Sequence, residues 1–279
     1  AYQPRSEVTM VSSRSRRPPA GARFEELTPW THDPTLDVRM LGSIHDVQSN
    51  SYCLDVGGGT GKIALMGSRL RPDLNWISVD VVAPSALHGQ PGRVAGVYGD
   101  GSTLPFRPRS VSWLAFRSSL HYIGLNAALR EARRISLETS KLIVLAKVSD
   151  QFETCSAWHL RMHQARSIVQ RELYRSGDLV AAIGSSGYRV CAAELFYQWT
   201  SYDLTTWISR GHELDSGSQK ELRAVIRECD DMRAVDGVQP LYVRGGRLHS
   251  RLQWCLIEAS RREPGKFRTN HSISDDRKG

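Results

Sequence analysis

Short apolar runs and helical stretches alternate along the middle of this chain. Tyr52, Cys53, Leu54 and Val56 make one run, and residues 76–79, 93–98, 111–116 and 141–148 make four more. Each reads as a strand. The last, with Leu-Ile-Val-Leu-Ala at its centre, has the unbroken hydrophobicity of a strand covered on both faces. Apolar residues recur at helical spacing across 62–70 and 125–135, where Leu125, Ala128, Leu129, Ala132 and Ile135 share one side. Ahead of the first strand, Leu36, Met40, Leu41, Ile44 and Val47 predict a helix over 34–48, with Asp33 as its N-cap. Beyond residue 175 the pattern gives a helix at 178–183, a strand at 188–197, a helix at 219–232 and a last strand at 252–258. Such alternation predicts an α/β fold in three layers. Its sheet should have seven strands, mostly parallel, with the last two forming an antiparallel edge.

The first strand runs into Tyr52-Cys-Leu-Asp-Val-Gly-Gly-Gly-Thr-Gly-Lys62. Strand, glycine turn and helix together bring backbone N–H groups close to a ligand. A phosphate loop would need glycine at 56 and Ser or Thr at 63, where Val56 and Ile63 stand. A dinucleotide fingerprint from Gly57 would need glycine at Lys62. The pattern Asp55-x-Gly57-x-Gly59-x-Gly61 fits without exception. Three glycines can also simply make a turn, since glycine reaches positive φ cheaply. The second strand, however, ends in Asp80, 25 residues after Asp55, and the third ends in Gly99-Asp100-Gly101-Ser102. These stretches resemble the successive motifs of class I S-adenosylmethionine-dependent methyltransferases, in the small-molecule branch that includes ubiquinone and menaquinone methyltransferases. The resemblance is specific over residues 52–149 and holds only in outline beyond.

The resemblance implies a Rossmann-like methyltransferase fold with helical lid insertions near 150–175 and 203–250, and S-adenosyl-L-methionine as cofactor. It implies cofactor contacts from Asp55, Gly57, Gly59, Gly61, Asp80, Val81, Asp100, Gly101, Ser102, Arg117 and Ser118. Asp80 would accept from the ribose hydroxyls and Asp100 from the adenine amino group. His121 stands where small-molecule O-methyltransferases carry a catalytic histidine; a packing role is the competing reading. Trp158, His159, Met162 and His163 would line a substrate-covering lid. His159 and His163 lie four apart, but no third ligand is near in sequence, so no metal is expected. The Pro-Gly-Gly turn usual before the fifth strand is replaced by Leu137-Glu138-Thr139-Ser140.

Charge narrows the acceptor. The chain of 279 residues has a net charge of +8, but residues 1–23 hold +4 of it and residues 261–279 hold +3. The body, expected over 23–260, is nearly neutral, whereas a nucleic-acid surface would place basic residues there. Residues 1–22 and 261–279 read as a disordered basic arm and a disordered tail. After the fourth strand there is no Asn/Asp-Pro-Pro-Tyr/Phe of base-modifying enzymes, no paired-glutamate loop and no metal-binding carboxylate. The expected acceptor is therefore a bulky small metabolite methylated on O, N or C, with neither membrane nor nucleic acid as partner. An RNA or protein methyltransferase using the basic tails is one alternative. A cofactor-binding protein or cyclase without methyl transfer is another. The five cysteines form no C-x-x-C pair, and Cys53, Cys191 and Cys255 fall in strand-like runs. Buried free thiols in a reducing cytoplasm follow, as does the expectation of no signal peptide or transmembrane run. Oligomeric state stays open, a homodimer included.

Overall fold

The computed structural model describes residues 34–82, 84, 87, 89, 92–150, 173–203, 205, 216–230 and 241–261. Its strands are β1 (Tyr52–Val56), β2 (Asn75–Asp80), β3 (Val94–Tyr98), β4 (Val111–Arg117), β5 (Ser136–Lys147), β6 (Tyr188–Asp203), β7 (Leu241–Arg244) and β8 (Arg247–Arg261). The helices are α1 (Pro34–Leu41), α2 (Lys62–Leu70), α3 (Leu120–Ile123), α4 (Leu125–Ile135), α5 (Ser176–Ser185) and α6 (Ser216–Asp230). One sheet contains every strand, in the order β3-β2-β1-β4-β5-β8-β6, with β7 attached to β8. Pairing is parallel from β3 through β5, while β8 runs antiparallel to both β5 and β6. The mostly parallel sheet with antiparallel pairing toward one edge is thus present, with one short strand, β7, beyond the seven expected.

Strand alternation sorts the core into two clusters. Cys53, Trp76, Trp113, Ala115, Ile143, Leu145 and Trp254 pack with Leu36 and Met40 of α1, Ile63 of α2 and Leu222 of α6. Leu54, Val56, Leu114, Phe116, Leu142 and Val144 pack on the opposite face with Ala128, Leu129 and Ala132 of α4 and Leu179 of α5. These are the three layers that βα alternation demands. On the first face Trp76 and Trp113 meet edge-on with centroids 5.4 Å apart. Gly67 of α2 makes room for them: a Cβ there would lie 2.2 Å from the Trp76 ring.

Two expectations need correction. The insertion at 203–250 is not simply helical. β6 and β8 stay paired from Tyr188↔Arg261 to Asp203↔Arg247, and β8 meets the last residue of β5 already at Lys147↔Trp254. The ribbon therefore projects past the carboxyl end of the central strands, with β7 on its flank. Gly245 and Gly246, at φ 58° and 73°, form the two-residue turn between Arg244 and Arg247. Positive φ at both central positions is what such a hairpin needs. Second, Cys191 is exposed, whereas Cys53 and Cys255 are buried. β6 is the outermost strand and its register shifts between Val190 and Ala192, so the bulge carries Cys191 out of the core pattern. Smaller differences concern ends: β5 begins at Ser136 and absorbs Leu137–Ser140, and the helix predicted over 34–48 turns into a 3-10 segment at Gly42–Asp46. The arm, residues 262–279 of the tail and residues 151–172 of the first lid insertion, with Trp158, His159, Met162 and His163, lie outside the described residues, while Arg261, expected to open the disordered tail, is instead the last residue of β8.

Candidate cofactor and acceptor site

β1 connects outward to β2 on one side, while β4 lies on its other side. This reversal opens a crevice at the carboxyl edge, the ligand position of doubly wound sheets. The glycine turn fills its floor. Gly57, Gly59 and Gly61 all have positive φ, at 67°, 58° and 91°. The Gly57 N–H donates to the Val79 carbonyl at 2.8 Å, and Gly61 caps α2 without a side chain. A Cβ on Gly59 would meet nothing within 4 Å, so the turn presents bare backbone to open space there. Gly58 is different. A Cβ on it would lie 2.1 Å from Ser78 Oγ and 2.3 Å from Asp55 Oδ2.

Asp55 is fully buried beneath that turn, and neither carboxylate oxygen makes a well-formed hydrogen bond. Burial pushes its pKa up to about 7, with Asp80 and Asp37 adding to the rise and the charge of Arg117 and the nearby Ala64 N–H opposing it. Asp80 ends β2 and ties strand to turn: it accepts from the Gly59 N–H at 2.8 Å and the Val82 N–H at 3.0 Å. Its pKa is raised by burial and restrained by those donors and by the Val81 N–H. Asp100 follows β3 and accepts from the Ser102 N–H at 2.8 Å and hydroxyl at 2.7 Å. Gly101 is buried against Ile123 and Val56. Val81 and Tyr98 leave apolar surface open on this side.

At the end of β4, Arg117 extends toward α1 and pairs with the fully buried Asp37. Lys62, at the start of α2, reaches the other Asp37 oxygen at 3.1 Å. Arg117 Nη2 and the hydroxyl of Ser118 are buried without a partner. Ser118 holds φ 52°, a conformation that L side chains adopt rarely outside functional or tight turns. His121 is the second residue of α3, at 6% exposure, its ring 4.1 Å from that of Tyr122. Burial, then the charge of Lys147, lowers its pKa to about 3, so the ring is neutral at physiological pH.

The expected residues Asp55, Gly57, Gly59, Gly61, Asp80, Val81, Asp100, Gly101, Ser102, Arg117, Ser118 and His121 all lie at this carboxyl edge. Sequence reasoning missed Asp37, Lys62, Lys147 and the pair Glu131–Arg134. Asp37 had a signal, since it sits four residues before Leu41 on the apolar side of its helix. Glu131 accepts from the Leu104 N–H at 2.8 Å, and Arg134 donates to the Phe106 and Leu104 carbonyls, clamping the segment that follows Asp100 onto α4. Among the described residues, no group of three or more His, Cys, Asp or Glu could hold a metal ion, and no helix is long and apolar enough to cross a membrane.

No protein-family model and no curated protein matches the chain. Solved structures do. The YcgJ protein of Bacillus subtilis superposes with TM-score 0.68 at 17% identity, covering 83% of this chain and 100% of its own. A candidate methyltransferase of Bacillus halodurans superposes with TM-score 0.65 at 17% identity, over 81% of this chain and 98% of its own. Geranyl diphosphate C-methyltransferase of Streptomyces coelicolor, solved with S-adenosyl-L-homocysteine, gives TM-score 0.52 at 15% identity, over 82% and 79%. With its sheet order, its glycine turn and these likenesses, the chain has the Rossmann-like fold of the class I S-adenosylmethionine-dependent methyltransferases.

Proposed function

We propose that the chain binds S-adenosylmethionine across the carboxyl edge of the sheet and transfers its methyl group to O, N or C of a small, bulky acceptor. One observation carries this reading: the glycine turn after β1, the carboxylate ending β2 and the Asp100 turn after β3 stand side by side at the topological switch point. The residues present fit the cofactor. Bare backbone at Gly59 leaves room for close approach, and Arg117 Nη2 and Ser118 Oγ are buried polar groups without partners. Asp80 spends one lone pair on each of two N–H groups and retains acceptor capacity for hydroxyls. Asp100, on its clamped segment, offers a carboxylate to an exocyclic amine, with Val81 and Tyr98 as apolar walls.

The cofactor supplies an electrophilic methyl group on a sulfonium. This chain's residues then have two tasks: to hold the acceptor in line and to exclude water, which together supply on the order of 7 kcal/mol or more. A general base works best with a pKa near ambient pH. His121, near 3, is a poor match, and we assign it to orienting the acceptor as a neutral hydrogen-bonding group. The test is calorimetry with S-adenosylhomocysteine and with NAD, followed by mass detection of methyl transfer to a metabolite panel. Tight binding of the first and none of the second is the expected result. Binding of NAD, or of neither, would sink the proposal.

A further inference from the structure

The near-neutral body conceals a separation of charge along the strands. Asp37, Asp55, Asp80 and Asp100 stand at the carboxyl edge, while arginines collect at the amino edge, around the starts of β4, β5 and β6. α4 runs back from the carboxyl edge, so its last turn brings Arg133 and Arg134 to the amino edge, with Arg130 one turn earlier. Arg107 and Arg109 precede β4. The Arg109 N–H donates to the Arg134 carbonyl at 3.1 Å, and the Arg107 carbonyl accepts from Ser110 Oγ at 2.7 Å. β8 is antiparallel to β5 and β6, so its final residue, Arg261, reaches the same edge opposite Tyr188, next to Arg189 of β6. Arg133 bridges helix and strand: a Cβ on Gly187 would lie 2.7 Å from its Nε. Four segments thus bring seven arginines into one continuous ridge.

Two carboxylates among the described residues lie within that ridge. Arg134 grips both oxygens of Glu131, at 2.8 and 2.7 Å. Glu138 stands between Arg261 at 3.3 Å and Arg109 at 3.8 Å. Seven charges against two leave a surplus of five. Farther along the edge, Lys141 pairs with Asp46 and Arg71 with Asp73, and these cancel. Among the described residues, Arg107, Arg130, Arg133 and Arg189 have no carboxylate within ion-pairing distance. Arg107, Arg130 and Arg189 are exposed, and Arg133 Nη1 is buried without a hydrogen bond.

Cations in the last turn of a helix suit its dipole, which accounts for Arg133 and Arg134. It does not account for Arg107, Arg109, Arg189 and Arg261, which lie on other elements. Arg130 and Arg134, four apart with like charge, oppose the helix. A surface under no other demand intersperses both signs. Every surplus cation here is an arginine, whose planar fork offers paired N–H groups to two oxygens of one phosphate and sheds water more readily than an ammonium. None of the large apolar side chains left exposed lies in these segments, so the ridge offers neither a wedge for a membrane nor an apolar centre for a protein interface.

We propose that this amino-edge ridge binds the phosphate backbone of a nucleic acid, by charge and without reading its sequence. From Arg261 the chain continues into residues 262–279, whose five basic and three acidic residues add a further +2. The ridge lies at the opposite ends of the strands from the glycine turn. The nucleic acid is therefore a partner rather than the methyl acceptor, and the proposal is independent of the methyl-transfer reading.

Fluorescence anisotropy of the full chain with a labelled, mixed-sequence single-stranded RNA of about 20 nucleotides tests this. Four unpaired guanidinium groups, each worth a slope of about 0.7 on a single strand, give log K a slope of about −3 against log salt. Affinity should then fall by about 50-fold or more between about 50 and 200 mM salt. Replacing Arg107, Arg130, Arg133 and Arg189 together by Gln should flatten the slope by about 3 and weaken binding tenfold or more at the lower salt. The same four positions as Lys should keep the slope. Arg133 is half-buried, so the variant Arg107→Gln, Arg130→Gln, Arg189→Gln, confined to exposed positions, stands in if the fourfold one melts early; it should flatten the slope by about 2. Replacing Lys266, Arg268, Arg277 and Lys278 by Gln should leave most of the binding. No binding by the wild type overturns the proposal. So does a salt slope that the ridge variants leave unchanged, which would assign the binding to the terminal segments. Poly-glutamate that competes as well as RNA, charge for charge, would make the partner an acidic protein, and tighter binding to phosphatidylglycerol vesicles would make it a membrane. Either result overturns the assignment to a nucleic acid.

Discussion

Replacing Asp55 by Asn should stabilise the protein at alkaline pH, although Asp55 opens the motif on which the site is built. The carboxylate is fully buried and makes no well-formed hydrogen bond, and burial pushes its pKa up from the usual 3.8 to about 7. Its folded pKa is raised, so its contribution to stability is complete below the unfolded value and is lost as pH rises to about 7. Over that interval the unfolded chain gives up its proton first, at about 1.4 kcal/mol per pH unit, which bounds the penalty at on the order of 4 kcal/mol. Asn has the same shape without the charge. Its amide can donate to Ser78 Oγ, which also lacks a partner and lies beneath the same Gly58 turn. A second amide hydrogen left unsatisfied takes back about 1–3 kcal/mol. Chemical denaturation from pH 4 to 9 should show the variant gaining on the order of 4 kcal/mol on the wild type between the two ends, which leaves it about 1–3 kcal/mol ahead on a plateau above pH 8 once the amide cost is subtracted. A difference that is constant across this range would refute the reasoning, since only a titrating group makes it vary.

Other substitutions test the remaining supports. Asp80→Ala removes an acceptor from both Gly59 and Val82, so S-adenosylhomocysteine affinity in calorimetry should fall by about 1.5–3 kcal/mol; unchanged affinity would take Asp80 out of the site. Gly67→Ala would drive a Cβ into the Trp76 ring, and the crowding of about 1–3 kcal/mol should outweigh a helix-propensity gain of about 1 kcal/mol. A melting temperature that rises instead would contradict the packing described. His121 has a depressed folded pKa, so its contribution is complete above 6.5 and is lost as pH falls toward 3. His121→Gln should therefore flatten the stability profile between pH 6.5 and 4, by up to about 1.4 kcal/mol per unit; parallel profiles for variant and wild type would show that the ring does not titrate as described.

The parallel half of the fold was legible because its strands are short and covered on both faces. Runs such as Leu142–Val144 have no polar interruption, and glycines mark where the first and third strands stop. The helix 125–135 matched its observed bounds because four of its apolar residues share one face and Gly124 precedes them. The far side of the sheet was harder. β6 and β8 are long, and each changes environment midway, from core strand to projecting ribbon, so a reading by continuous hydrophobicity stopped too early at 197 and began too late at 252. The Gly245-Gly246 pair was visible, but its hairpin depended on recognising Leu241–Arg244 as a strand of only four residues.

Glycines and strand-end acids could be read at the site because their roles are local: each acts within a few residues of its own strand. The Asp37–Arg117–Lys62 network has no such locality. Its members are separated by up to 80 residues and become neighbours only once α1 lies against the ends of β4 and α2. Hydrophobic periodicity treats Asp37 as one polar residue in a helix, although its burial is complete. Lys147 has the same character. In sequence it merely closes an apolar run; in the fold, alternation turns it inward opposite Trp254. The same charge bears on His121, whose basicity falls for a reason that no motif encodes, namely burial beside a lysine from the next strand. The resemblance singled out His121 only by its place after the fourth strand. The protonation of the ring, and so the chemistry open to it, was decided by residues that the resemblance did not include.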